Sequence, residues 1–154
     1  MTQEEQTAGR VLVADRIARE GVEYLQQQHL QVDERVGLKP EQLIAILGDY
    51  TALVVRSETR VTAPLIAAGK QLRVIARAGV GVDNIDLEAA TSAGVLVVNS
   101  PTGNIVAAAE HAIAMLLAMA RHIPAAQASL KEGHWERSRY LGVEIRHKTL
   151  GIVG

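Results

Sequence analysis

The chain has 154 residues, 48% of them hydrophobic and 21% charged, with a net charge of −1 and no cysteine. That length and balance suit one folded domain of ordinary size and exclude a disordered or fibrous chain. The near-zero charge gives no general attraction to nucleic acid or an anionic membrane, and the missing cysteines exclude a disulfide framework and a thiol nucleophile.

The start, MTQEEQTAGR, is polar and acidic, unlike a secretory leader, and reads as a loose tail on a cytoplasmic protein. After it, short β-branched runs alternate with segments of helical period, the pattern of a doubly wound parallel sheet. RVLVAD is the first predicted strand, followed by a helix over residues 16–28. LQVDER is a weaker second strand, and PEQLIAIL a helix opened by Pro40. TALVVR is the third strand; the short helix after it has Thr62 as N-cap and Gly69 at its end. LRVIAR is the fourth strand, and Asp86 caps a helix that Gly94 terminates. VLVVNS is the fifth. The expected fold is α/β, a flavodoxin-like or Rossmann-like five-stranded parallel sheet.

NIVAAAEHAIAMLLAMARHIP then reads as a long helix, apolar on nearly every side, with Pro124 at its end or at a kink. A helix apolar all round calls for cover on all sides, so this one is expected to lie between two bodies, the five-stranded domain covering only part of it and something outside this chain or beyond its C-terminus the rest. Its uninterrupted apolar run is far short of the ~20 residues of a membrane span. Residues 149–153 branch and alternate like a short buried strand, and Gly154 follows as the first glycine of a nucleotide-binding turn would.

Open α/β sheets bind ligands at the carboxyl ends of their strands. Three loops there carry polar groups: Arg56 to Thr59, Arg77 to Asn84, and Asn99 to Asn104. Arg56 can fork two bonds to a carboxylate or phosphate. Gly79 and Gly81 serve either a tight turn or the close approach of a ligand, and Asn104 sits where a helix begins. Arg77 reads as the structural partner of an acid. A G-x-G without its third glycine is not a dinucleotide fingerprint. A phosphoacceptor domain of the same layout would have an aspartate after strand three and a lysine after strand five, where this chain has Arg56 and Asn99. His111 and His122 stand roughly 16 Å apart along a helix and cannot share a metal, so no metal site is expected.

VVRSETRVT, RAGVGVDNID, NSPTGN and KEGHWER together resemble the D-isomer-specific 2-hydroxyacid dehydrogenases, over nearly the whole chain after Arg10. The resemblance implies an NAD-dependent enzyme oxidising the 2-hydroxyl of a small anionic 2-hydroxy acid, homo-oligomeric when full length. It implies a substrate-binding domain over residues 1–103, an interdomain helix and arm over 104–148, and the start of the NAD-binding domain at 149–154. On this reading the chain is an N-terminal piece that lacks the family's catalytic residues and most of its NAD contacts. Arg56, Ser57, Gly79, Gly81 and Asn104 are its expected substrate contacts, and Val80 its contact to the nicotinamide. Trp135 and Arg137 resemble an interdomain or subunit-contact segment. A reductase of the same family, a corepressor related to it, and a binding domain with no activity are the alternatives.

Overall fold

A computed structural model describes residues 9–153; the rest of the polar start and Gly154 lie outside the described residues. The chain forms two compact units, one ending at Asn104 and the other starting at Ile105.

In the first unit five short strands alternate with helices: β1 Arg10–Val13, α1 Arg19–Gln27, β2 Gln31–Glu34, α2 Pro40–Ile46, β3 Ala52–Val55, α3 Ala63–Ala68, β4 Val74–Arg77, α4 Leu87–Ser92 and β5 Leu96–Asn99. All strand pairs are parallel, in the order β2-β1-β3-β4-β5. This is the flavodoxin-like order, with its switch point between β1 and β3.

The central strands are apolar on both faces, as burial under two layers requires. On one face Leu12, Leu53, Val55 and Ile75 pack with Leu43 of α2, Leu65 and Ile66 of α3, and Ala90 of α4. On the other, Val11, Val13 and Val54 pack with Ile17 and Leu25. Leu96 and Val98 of the edge strand β5 remain exposed.

Local signals place most helix ends. The Asp86 carboxylate accepts from the Ala89 N–H at 2.9 Å at the start of α4, and Gly94, at φ +68°, makes the left-handed stop. Pro40 opens α2, and the Gln42 side chain accepts from the Lys39 N–H at 2.9 Å. Thr62 stands at the N-cap of α3 but makes no side-chain capping bond. Pro64 occupies the second helical position, so one of the two amides a cap can reach does not exist. Helix α1 starts at Arg19, three residues later than expected, because the backbone is still extended at Ala18.

At the amino end of the sheet, Arg10, Asp33 and Tyr50 form a cluster. Arg10 Nη2 and Tyr50 Oη both donate to Asp33 Oδ2, at 2.9 and 2.8 Å, and the guanidinium stacks on the tyrosine ring. The tyrosine hydroxyl first, and Arg10 second, hold the Asp33 carboxyl below its ordinary value. A lowered carboxylate pKa contributes stability that is present above the ordinary aspartate value of about 3.9 and is lost as pH falls through the folded value. Tyr50→Phe should therefore cost about 1 kcal/mol at neutral pH, discounted for the partial exposure of Asp33. It should also flatten the loss of stability below pH 4, as read from urea midpoints across the acid range.

The second unit contains α5 Ile105–Ala120 and α6 Ile123–Lys131, bent by 61° from each other. The break falls at Arg121 and His122, where His122 takes a left-handed φ of 51°, and Pro124 lies in the first turn of α6. Proline thus opens the second helix and does not end the first. No residue of α5 is buried among the described residues; Ile113, Met115 and Met119 are more than half exposed. No single described helix is long and apolar enough to cross a membrane. Beyond α6, Ser129 Oγ donates to Glu136 Oε2 at 3.1 Å and Arg139 pairs with the same carboxylate. Together, Ser129 foremost, they hold Glu136 below the ordinary carboxylate range.

The strand expected over residues 149–153 does not form. Those residues are irregular, with Ile152 86% exposed. A strand needs a neighbour to complete its ladder, and among the described residues none pairs with this segment.

Candidate functional site

The carboxyl ends of β1, β3, β4 and β5 surround a cleft of about 660 Å³ in the first unit. Its lining includes each of the six positions singled out in the sequence: Arg56, Ser57, Gly79, Val80, Gly81 and Asn104. Ile17 and Ala18, from the stretch after β1, form an apolar side, and Arg77, Ser100 and Gly103 complete the polar one.

The loop after β3 is held by its backbone. Asp15, two residues after β1 and only 2% exposed, accepts from the Arg56 N–H at 2.6 Å, the Thr59 N–H at 3.1 Å and the Thr59 hydroxyl at 2.5 Å. A short polar side chain at the switch point thus fixes where β3 delivers its loop. The Arg56 guanidinium itself is lightly held, by one bond of 3.4 Å to the Arg16 carbonyl, and no carboxylate lies within 4 Å of it among the described residues.

Arg77 is more than the structural partner the sequence suggested. Its side chain is only 12% exposed, yet it lines the cleft. Its Nε donates to Asn84 Oδ1 at 2.8 Å, while its one acidic neighbour, the exposed Asp83, stands 3.7 Å away. Gly79 makes room for this side chain: a Cβ there would lie 2.7 Å from Arg77 Nη1. The glycine therefore serves the arginine as well as any ligand approaching the backbone.

The amides of the glycine loop are not all free. The Gly79 N–H donates to the Arg77 carbonyl at 2.9 Å, whereas the Val80 and Gly81 N–H groups have no protein acceptor among the described residues. The Asn99 side chain steadies the loop by donating to the Val80 carbonyl at 2.6 Å, and the Ser100 N–H donates to the Gly79 carbonyl at 3.0 Å.

The lining contains two guanidiniums, two free amides, hydroxyls and one carboxamide, and no carboxylate or histidine. Such a set has the donors to hold an anion and to orient it by forked and single hydrogen bonds. It holds no group able to take a proton from a hydroxyl at neutral pH. The sequence reading missed Asp15 and Asn84, which do not line this cleft but set the positions of residues that do. Their signal was an acid ending a buried strand and an asparagine closing a glycine loop.

The glycine loop after β4 does not fit the pyrophosphate of a dinucleotide. That group needs a glycine turn leading from a strand into a helix whose amino end is free. The glycine loop here leads instead to α4, whose first turn is already capped by the Asp86 carboxylate.

Comparison with known proteins agrees with this geometry. The sequence profile described as "D-isomer specific 2-hydroxyacid dehydrogenase, catalytic domain" matches residues 11–149. D-3-phosphoglycerate dehydrogenase of Synechocystis sp. is 53% identical over 148 residues, which is 96% of this chain and 26% of that protein. The chain thus spans about a quarter of that relative's length. The crystal structure of a Thermus thermophilus protein superposes with a TM-score of 0.80 at 31% identity, over 88% of this chain and 45% of that one. The NAD⁺-bound 3-phosphoglycerate dehydrogenase of Entamoeba histolytica does so with a TM-score of 0.68 at 30% identity, over 75% of this chain and 40% of that one. A parallel sheet in this order, a relative 53% identical over 96% of the chain and a profile match over most of the sequence lead to one conclusion: the chain belongs to the D-isomer-specific 2-hydroxyacid dehydrogenase family.

Proposed function

We propose that this chain supplies the substrate-binding part of an NAD-dependent D-3-phosphoglycerate dehydrogenase, which oxidises the 2-hydroxyl of 3-phospho-D-glycerate in the first step toward serine. The observation that carries the reading is a cleft lined by two guanidiniums and no carboxylate. A substrate with a carboxylate at one end and a phosphate at the other matches two cations better than a singly charged 2-hydroxy acid does. Arg56 and Ser57 take one anionic end. Asn104 and the backbone at Gly79 and Gly81 orient the substrate, and Val80 faces the nicotinamide.

NAD, when bound, accepts the hydride from C2, and the hydroxyl proton leaves to a base. No base lies in this cleft, and of its lining only Val80 meets the nicotinamide, so the base and the rest of the NAD site come from residues outside it. The chain by itself then binds substrate without turning it over. The proposal extends to a cytoplasmic homo-oligomer as the working form of the whole enzyme.

Calorimetric titration of the full chain tests the reading. D-3-phosphoglycerate should bind, glyoxylate should bind at least ten-fold more weakly for want of a second charged contact of about 1.5–3 kcal/mol, and NADH should not bind measurably. Glyoxylate binding as tightly as D-3-phosphoglycerate would favour a reductase of the same family. Tight NADH binding would make the glycine loop a cofactor loop and overturn the assignment of the cleft.

A further inference from the structure

Asn84 touches both arms of the cleft. Its side-chain Nδ2 donates to the Arg56 carbonyl and to the Thr59 carbonyl, each at 2.7 Å, and its Oδ1 accepts from Arg77 Nε at 2.8 Å. Asp15 holds the N–H groups of the same two residues, Arg56 and Thr59, from the other side. The loop after β3 is therefore clamped at both peptide groups of both its ends.

The two halves of the clamp do different things. Asp15 ties the loop to β1 alone, whereas Asn84 ties it to the loop after β4 and to the side chain of the second cleft cation. Asn84 is itself fixed by its backbone: its carbonyl accepts from the Val61 N–H at 2.8 Å, beside a parallel bridge between Val61 and Ile85, both buried. Its position thus does not depend on the bonds its side chain makes. A carboxamide is the short neutral group that can donate twice and accept once. Aspartate keeps the acceptor and loses both donors, and serine is too short to reach three partners.

We propose that Asn84 is a positioning residue that fixes the Arg56 backbone relative to the Arg77 guanidinium, so that one dianionic ligand meets Arg77 already oriented and Arg56 already anchored at its base. The inference rests on the reading of the cleft as an anion site. It adds that affinity depends on how the two cations are held as well as on their presence. This arrangement spares the ligand the ordering of the Arg77 side chain and of the loop that carries Arg56.

The test is a mutant cycle on the full chain with D-3-phosphoglycerate as the probe, read by calorimetry, with thermal melting to verify folding. Asn84→Ala should weaken binding about ten-fold, since one charged and two neutral hydrogen bonds that order the cations are lost. In an Arg56→Ala, Arg77→Ala background the same substitution should change binding less than two-fold, because nothing is left for it to align. The Arg77 Nε–H resonance should sharpen and resist solvent exchange in the parent and lose that protection in Asn84→Ala. Should Asn84→Ala melt too low to use, Asn84→Ser supplies the same cycle without adding a charge: too short to reach the three partners, it should lower binding and leave the Arg77 Nε–H unprotected. Arg56→Ala weakening the probe while Asn84→Ala stays within two-fold of the parent would overturn the inference and leave the anion site standing. An equal loss in both backgrounds would show Asn84 to be merely structural. If Arg56→Ala also has no effect, the cleft is not the anion site and the inference falls with that reading.

Discussion

Asp15→Ala should destabilise the first unit by about 3–4 kcal/mol, the largest effect expected of any polar substitution in the sheet. The carboxylate is 2% exposed and accepts three hydrogen bonds, two from backbone N–H groups and one from a hydroxyl. Bonds to a charged acceptor are stronger than neutral ones, and removing the acceptor leaves the donors of Arg56 and Thr59 turned toward a space that water must enter. No cation stands within 4 Å of it among the described residues, so the N–H and O–H donors stabilise the charge without a salt bridge. Asp15→Asn should cost less, because one of its carbonyl lone pairs can still serve the Arg56 N–H. Urea unfolding followed by circular dichroism reads both variants. A cost below 1 kcal/mol for Asp15→Ala would show that the loop after β3 holds its place without this anchor.

Arg56→Ala should weaken binding of D-3-phosphoglycerate by about 30- to 100-fold, equivalent to ~2–3 kcal/mol for a charged, forked contact. Arg56→Lys keeps the charge, loses the fork, and should lie between the two, several-fold weaker than the parent. Neither change should alter the melting temperature much, because the guanidinium is bound inside the protein by one long bond to the Arg16 carbonyl. The loss should shrink as salt rises, since part of it is Coulombic attraction across an open cleft. An affinity unchanged in Arg56→Ala would remove this residue from the site.

Much of this was legible in the sequence because strand and helix signals there agreed with the tertiary structure. RVLVAD, TALVVR and LRVIAR are β-branched runs that a two-faced sheet requires, and the Asp86 to Gly94 segment carries its own cap and its own stop. The three loops were found because their strands had been found. What escaped depends on contacts distant in sequence. Asp15 reads as the end of a strand until β3 is placed beside β1, 41 residues away. Asn84 reads as part of a turn until the carbonyls of Arg56 and Thr59 come within its reach. The apolar run from Ile105 suggested one long helix that this chain covers only in part; periodicity reports which surfaces are apolar and not what covers them, nor that His122 would turn left-handed before Pro124. Residues 149–153 have strand character without a strand to pair with, and propensity alone does not make a ladder.

The central claim is that the switch-point cleft binds the anionic substrate, and nuclear magnetic resonance of the ¹⁵N-labelled full chain tests it most directly. On titration with D-3-phosphoglycerate, the amide signals of Arg56, Ser57, Val80, Gly81 and Asn104 should move together along one saturating curve, with the Arg56 and Arg77 side-chain signals following. Saturable shifts confined to residues outside this cleft, or none at millimolar ligand, would contradict it.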